Sequence, residues 1–214
     1  MRGASGPVRP RRRGLAAAGA LAAAAAAARY WYDQPEGVCP YSQRLRVQLP
    51  HPLVTRARVH RLLAPSRGER VLEVGPGTGH YSTDLARALA PGGTLELLDV
   101  QVEMLDHALR GARRRGLTNL LATQGDAQEL PFPDGRFDAA TLLFTLGEIP
   151  DRRAALRELR RVLRPGGRLV VGDLLGSPRW VRLGRLRAWA DDAGLALERA
   201  HRWPVGYVAR FRAS

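Results

Sequence analysis

Apolar positions in this chain fall into short continuous runs separated by stretches of helical spacing, with glycine or proline at nearly every change. Val71, Leu72 and Val74 make a strand-like run that breaks into Gly75-Pro76-Gly77-Thr78-Gly79. Tyr81, Leu85 and Leu89 then recur at helical spacing until Pro91-Gly92-Gly93 stops them. The rhythm repeats: Thr94 to Asp99 predicts a second strand, and Val102, Leu105, Leu109 and Ala112 predict a helix face ending at Gly116. Leu120 to Thr123 predicts a third strand and Phe137 to Phe144 a fourth, after the turn Pro133-Asp134-Gly135. Leu156, Leu159 and Leu163 mark a helix closed by Pro165-Gly166-Gly167, ahead of a fifth strand from Arg168 to Asp173. A further helix lies within Trp180 to Ala193, and Leu195 to Ala200 and Gly206 to Phe211 predict two last strands. Strands alternating with helices imply a largely parallel α/β sheet covered on both faces.

The chemistry concentrates where the first strand turns. Closely spaced glycines let the backbone bend sharply and a ligand approach, and the following helix offers free N–H groups to a carboxylate or phosphate. Asp99 ends the second strand 24 residues after Gly75 and 20 after Gly79, the place from which a carboxylate grips the hydroxyls of a ribose. The turn is Gly-x-Gly-x-Gly rather than the Gly-x-Gly-x-x-Gly of dinucleotide sites. Spacing alone therefore specifies a nucleoside cofactor of open identity.

Composition removes several alternatives. All 34 basic residues are arginine, and the absence of lysine excludes a P-loop and the Tyr-x-x-x-Lys pair of short-chain dehydrogenases. One cysteine, Cys39, excludes an internal disulfide framework, a thiol-rich metal site and structural zinc; no metal ligands are expected. The net charge is +14; residues 33–214 carry 28 arginines against 20 acids, a net of +8. Such a balance fits the solvated outer faces of helices, as at Arg152, Arg153, Arg157, Arg160, Arg161 and Arg164, or attraction to nucleic acid or anionic lipid.

Four stretches in order carry a more specific likeness. Glu73-Val74-Gly75-Pro76-Gly77-Thr78-Gly79, then Asp99-Val100-Gln101 with Met104, then Gly125-Asp126-Ala127-Gln128-Glu129-Leu130-Pro131-Phe132, then Leu163-Arg164-Pro165-Gly166-Gly167-Arg168-Leu169 resemble the class I S-adenosylmethionine-dependent methyltransferases. The likeness is to the small-molecule branch that includes the quinone-biosynthesis C-methyltransferases, and it covers roughly residues 68 to 175. It implies a Rossmann-like, doubly wound seven-stranded sheet, mostly parallel with an antiparallel C-terminal edge hairpin. It also implies S-adenosylmethionine as cofactor, S-adenosylhomocysteine as product and a small, lipophilic acceptor. On this resemblance Gly75, Gly77 and Gly79 make room for the methionine portion and Glu73 supports the loop or the amino group. Asp99 takes the ribose hydroxyls with Val100 and Gln101 beside it, Met104 packs on the adenine, and Asp126 with Ala127 reads the adenine edge. Phe144 and the rest of the fourth strand's exit line the transfer zone, where Glu148 is a candidate general base and His80, with Tyr81, a candidate helper from the first loop. Capping of the next helix is the other role open to Glu148.

Upstream, three parts are expected: residues 1–32, a segment 33–70 of cap helices containing a helix from Leu53 to Leu63, and the main domain 71–214. Tyr41, His51 and His60 are candidates for the substrate wall over the cofactor. Residues 1–32 hold six arginines and no acid, then near-continuous alanine from Gly14 to Ala28. As a helix that run spans about 22 Å, short of a hydrocarbon core of ~30 Å. It reads as a loosely structured start, as a membrane-surface contact through residues 14–32, or as an export signal; a cytoplasmic cofactor argues against the last. Rival functions are a nucleic-acid methyltransferase, suggested by the charge but lacking an Asp/Asn-Pro-Pro-Tyr/Phe motif, and a cofactor-binding scaffold without catalysis. A nicotinamide enzyme is a weaker third. Oligomeric state is not legible.

Overall fold

The structure is a computed structural model that describes residues 39–44, 53–175, 177 and 179–214. The N-terminal segment 1–32 and His51 lie outside the described residues. Seven strands form one sheet: β1 (Arg70–Val74), β2 (Thr94–Asp99), β3 (Leu120–Gln124), β4 (Phe137–Leu143), β5 (Leu163–Leu174), β6 (Leu195–Trp203) and β7 (Gly206–Ala213). Their order is β3-β2-β1-β4-β5-β7-β6. The first five are parallel, while β7 runs antiparallel between β5 and β6. This is the doubly wound sheet with an antiparallel C-terminal hairpin that the resemblance implied.

Alternation along the strands sends neighbouring residues to opposite faces. Val71, Leu95, Leu97, Ala139 and Val170 pack with α1 (Arg56–Leu63), α2 (Ser82–Leu89) and α3 (Val102–Arg113) on one side. Leu72, Leu98, Leu142, Leu169 and Phe211 pack with α4 (Arg152–Val162) and α5 (Leu183–Asp192) on the other. Both faces of the central strands are dry, so near-continuous apolar runs were their signature. The helix expected from Leu53 begins later, at Arg56, because Thr55 takes the N-cap and its Oγ1 accepts the Arg58 N–H. Although expected within a cap, α1 buries Val59, Leu62 and Leu63 in the core.

β5 starts earlier than expected. Phe137 pairs with Leu163, the register then shifts, and Ala139 pairs with Arg168, so Pro165-Gly166-Gly167 forms a bulge inside the strand. Many outer-face arginines meet acids, including Arg87–Asp84 at 3.5 Å, Arg153–Asp192 at 2.9 Å and Arg187–Asp191 at 3.6 Å. Among the described residues no helix is long and apolar enough to cross a membrane.

Candidate functional site

The strand order reverses between β1 and β4, and the C-terminal ends of these strands are where open α/β sheets take ligands. The glycine turn leaves β1 at that end. Gly75, Gly77 and Gly79 all have left-handed backbones, with φ of 67°, 53° and 82°, which is why glycine stands at each. Two also serve packing. A Cβ on Gly75 would lie 2.3 Å from Thr145 Oγ1, and one on Gly79 would lie 3.1 Å from the Ala108 Cβ. Making room for a cofactor is thus not their whole role, and Thr145 was not picked out from sequence.

Four carboxylates cluster along the same edge. Glu73, at the penultimate position of β1, is only 3% exposed, and burial pushes its pKa up to about 7, with Ser82 opposing the shift. Its Oε2 and the Ser82 hydroxyl are buried near each other without closing a well-formed hydrogen bond. Asp99 closes β2; its Oδ1 accepts the Gln101 N–H at 3.0 Å, and burial holds its carboxyl above the ordinary range. Glu148 ends a single 3₁₀ turn, Leu146–Glu148, after β4. Burial pushes it to about 7, the Cys39 N–H works against the shift, and the charges of Asp99 and Asp173 add to it. Asp173, at the end of β5, accepts the N–H groups of Leu174 and Val181 and the Ser177 hydroxyl. It was missed from sequence although it carries the signal that marked Asp99, an acid closing an apolar strand.

A short segment before α1 bridges this cluster. Gln101 Oε1 accepts the Tyr41 N–H and its Nε2 donates to the Cys39 carbonyl, both at 2.9 Å. On the far side the Cys39 N–H donates to Glu148 Oε2 at 3.1 Å. Residues 39–41 therefore form a strap from the end of β2 to the exit of β4, with β1 between them. Gln101, expected beside the cofactor, has its amide bonded to the strap. One expectation is corrected here: Glu148 does not cap the next helix, since Asp151 accepts the N–H groups of Arg153 and Ala154.

The remaining candidates divide. Met104 is buried on α3, and Val100 is exposed at the β2 end with its carbonyl accepting Gln124 Nε2. Asp126 is exposed after β3 and folds both oxygens onto Gln128, while Ala127 turns inward against the core. That is a turn-stabilising role for Asp126. Phe144 has φ of 60° and donates its N–H to the Gly172 carbonyl, which fixes the β4 exit against β5. His80 Nδ1 lies 3.4 Å from Arg56 Nη2, its ring meets Tyr81 edge-on, and burial with the Arg56 charge lowers its pKa. Tyr81 donates to the Val54 carbonyl at 2.6 Å. Tyr41 reaches His107 Nδ1 at 3.2 Å, on the strap, whereas His60 sits on α1 with a buried, unpartnered Nε2. No group of three metal-ligating side chains occurs among the described residues.

Comparison with known proteins agrees with this geometry. The chain is 43% identical over 105 residues to a ubiquinone/menaquinone biosynthesis C-methyltransferase, UbiE, of Cellvibrio japonicus, covering 49% of this chain and 42% of that one. It is 34% identical over 139 residues to a demethylmenaquinone methyltransferase of Geobacillus kaustophilus, covering 65% and 56%. The chain thus spans about half the length of the curated relatives it matches. Its fold is that of a SAM-dependent methyltransferase from Aquifex aeolicus, with a TM-score of 0.76 at 23% identity over 83% of this chain and all of the other. A [4+2]-cyclase, SpnF, shares the fold at a TM-score of 0.67 and 23% identity, covering 73% and 78%, so architecture alone does not fix a reaction. Sequence decides the family: the profile of the ubiE/COQ5 methyltransferases matches residues 48–176, the span that holds the glycine turn, Asp99 and Glu148, and the chain belongs to that family.

Proposed function

We propose that the chain binds S-adenosylmethionine at the C-terminal ends of β1 and β4 and catalyses methyl transfer to a small acceptor. The observation that carries this reading is the meeting of Glu73, the glycine turn and Asp99 at one edge of the sheet, with donor needs and acceptor capacity to match. Glu73 keeps a buried oxygen without a well-formed hydrogen bond, an acceptor suited to a cofactor ammonium, and Asp99, whose carboxyl also feels the Gln101 and Val100 N–H groups, offers a buried carboxylate to ribose hydroxyls. Glu73, Gly77 and Asp99 are therefore the residues that would hold the cofactor. When bound, S-adenosylmethionine supplies a methyl group on a cationic sulfur, which keeps the carbon–sulfur electron pair and departs as the neutral thioether while the acceptor's pair makes the new bond.

The chain's own work is positioning, exclusion of water and proton handling. The strap over β1 narrows access to that edge of the sheet. Glu148, at about 7, is suited to take a proton from an acceptor near neutral pH. The names of the Cellvibrio and Geobacillus relatives, which refer to ubiquinone/menaquinone biosynthesis and to demethylmenaquinone, support a small lipophilic acceptor. Calorimetric titration of the full chain with S-adenosylmethionine and, in parallel, NADH tests the proposal, followed by labelled-methyl transfer to an acceptor panel. Binding of the former alone with label transfer supports it; binding of NADH, or of neither, overturns it.

A further inference from the structure

A cavity of about 810 Å³ lies between α5, the loop after β5 and the β6–β7 turn, a volume suited to a small organic ligand. Its lining includes five arginines and no acid. Among the described residues Arg179, Arg182, Arg185 and Arg202 enter no ion pair, in contrast to the paired arginines of the outer helix faces. Trp180, Trp189, Trp203 and Tyr207 supply flat walls. Arg179 is held at φ of 56°, a conformation that costs energy for a side chain with a Cβ and recurs at binding sites.

Two further observations point to a ligand. The Trp180 Nε1–H and the Tyr207 hydroxyl are buried with no hydrogen-bond partner, a state that native interiors rarely leave unexplained. Burial and the Asp173 charge raise the Tyr207 pKa, so the phenol keeps its proton. The polar side chains that line the cavity are thus cations or potential donors, with the Asp173 carboxylate behind Tyr207 and Val181. The cavity also adjoins the β4 exit: Arg152 Nη2 donates to the Gly147 carbonyl at 2.8 Å, beside Glu148, and the Arg179 charge acts on Glu148. The family profile ends at residue 176, and all the lining except Arg152 lies beyond it. These walls therefore narrow the small lipophilic acceptor suggested by the relatives' names to one whose apolar ring also carries an anionic group.

We propose that this cavity receives the acceptor and that the acceptor is a planar aromatic anion, a ring bearing a carboxylate. The ring lies against the tryptophans, and the carboxylate meets the arginines and the two unpartnered donors. The assignment of the occupant as acceptor rests on the methyl-transfer reading; its recognition as an aromatic acid does not.

The test uses the full chain without cofactor, titrated with a hydroxynaphthoate and the matching neutral hydroxynaphthamide, read by tryptophan quenching and calorimetry. The acid should bind about tenfold or more tighter than the amide, and Arg179→Gln with Arg182→Gln should remove about that factor. Trp180→Phe, which deletes the N–H, should weaken the acid several-fold. An amide that binds as well as the acid, an unchanged affinity in the double variant, or no binding of either compound overturns the inference. S-adenosylmethionine is titrated on the same preparation. If the cofactor binds and the acid does not, the cavity assignment fails and the proposed function stands. If the acid binds and the cofactor does not, the aromatic-acid site stands and its assignment as acceptor falls with the methyl-transfer reading. If both bind and no labelled methyl reaches the acid, the acceptor assignment is overturned.

Discussion

Replacing Asp99 by asparagine separates the contribution of its charge to binding from its contribution to the fold. The side chain is 8% exposed, one oxygen serves the Gln101 N–H, and burial holds its pKa above the ordinary carboxylate range. Asparagine keeps an oxygen for Gln101 but loses the charge and presents a donor in place of the second oxygen. One charge-assisted hydrogen bond to a ribose hydroxyl is worth about 1.5–3 kcal/mol, so the affinity for S-adenosylmethionine should fall roughly 10- to 150-fold. Stability should move the other way. Between the ordinary carboxylate pKa and the raised value, the unfolded chain has released its proton while the folded chain retains it, so stability declines as pH rises. The asparagine variant lacks that decline, and its Tm at neutral pH should equal or exceed that of the parent. Calorimetric titration and scanning calorimetry on the same samples read both effects. Unchanged affinity would show that the ribose is held elsewhere, and lost affinity with a lowered Tm would refute the claim that the carboxylate is a burden to the empty fold.

Glu73 makes a related case: its pKa rises from 4.5 to about 7, so stability should fall as pH climbs through that window, and Glu73→Gln should recover about 3 kcal/mol above pH 7 in urea unfolding; a parent with a flat pH profile argues against a buried, unpaired carboxyl. Gly75→Ala places a Cβ 2.3 Å from Thr145 Oγ1 at a φ of 67° and should lower stability by roughly 2–3 kcal/mol, measured by thermal unfolding; a shift within error would mean that the turn and the β4 exit are not in contact. If Glu148 accepts the acceptor's proton, kcat should rise with pH through about 7 in the parent and lose that dependence in Glu148→Gln. An unchanged profile in the variant removes Glu148 from proton transfer.

The fold was legible because both faces of the central strands are buried: Val71-Leu72 and Leu97-Leu98 had to be apolar in succession, and glycine and proline marked the turns. Boundaries were less legible where tertiary pairing overrides local chemistry. Pro165-Gly166-Gly167 looks like a break, yet pairing with β4 carries the strand through it as a bulge. The site was legible where a residue type answers to a backbone demand, as at the left-handed glycines, or to a strand end, as at Asp99. It was not legible where partners lie far apart in sequence. Nothing local tells that Gln101 holds Cys39 and Tyr41, that Thr145 abuts Gly75, or that Trp180 and Tyr207 share a cavity.

The strap also bears on turnover. Among the described residues its hydrogen bonds include two to Gln101, one to Glu148 and the Tyr41–His107 contact, each contributing about 0.5–1.5 kcal/mol, or somewhat more to a charged carboxylate. Releasing these costs several kcal/mol, so an open form would be a minor population. Motions of such short segments run on nanosecond to microsecond scales, far faster than the catalytic cycles of ordinary enzymes, whose kcat is about 10 per second. On the methyl-transfer reading, cofactor and spent product would exchange through such brief openings between cycles, and the strap would not set the tempo.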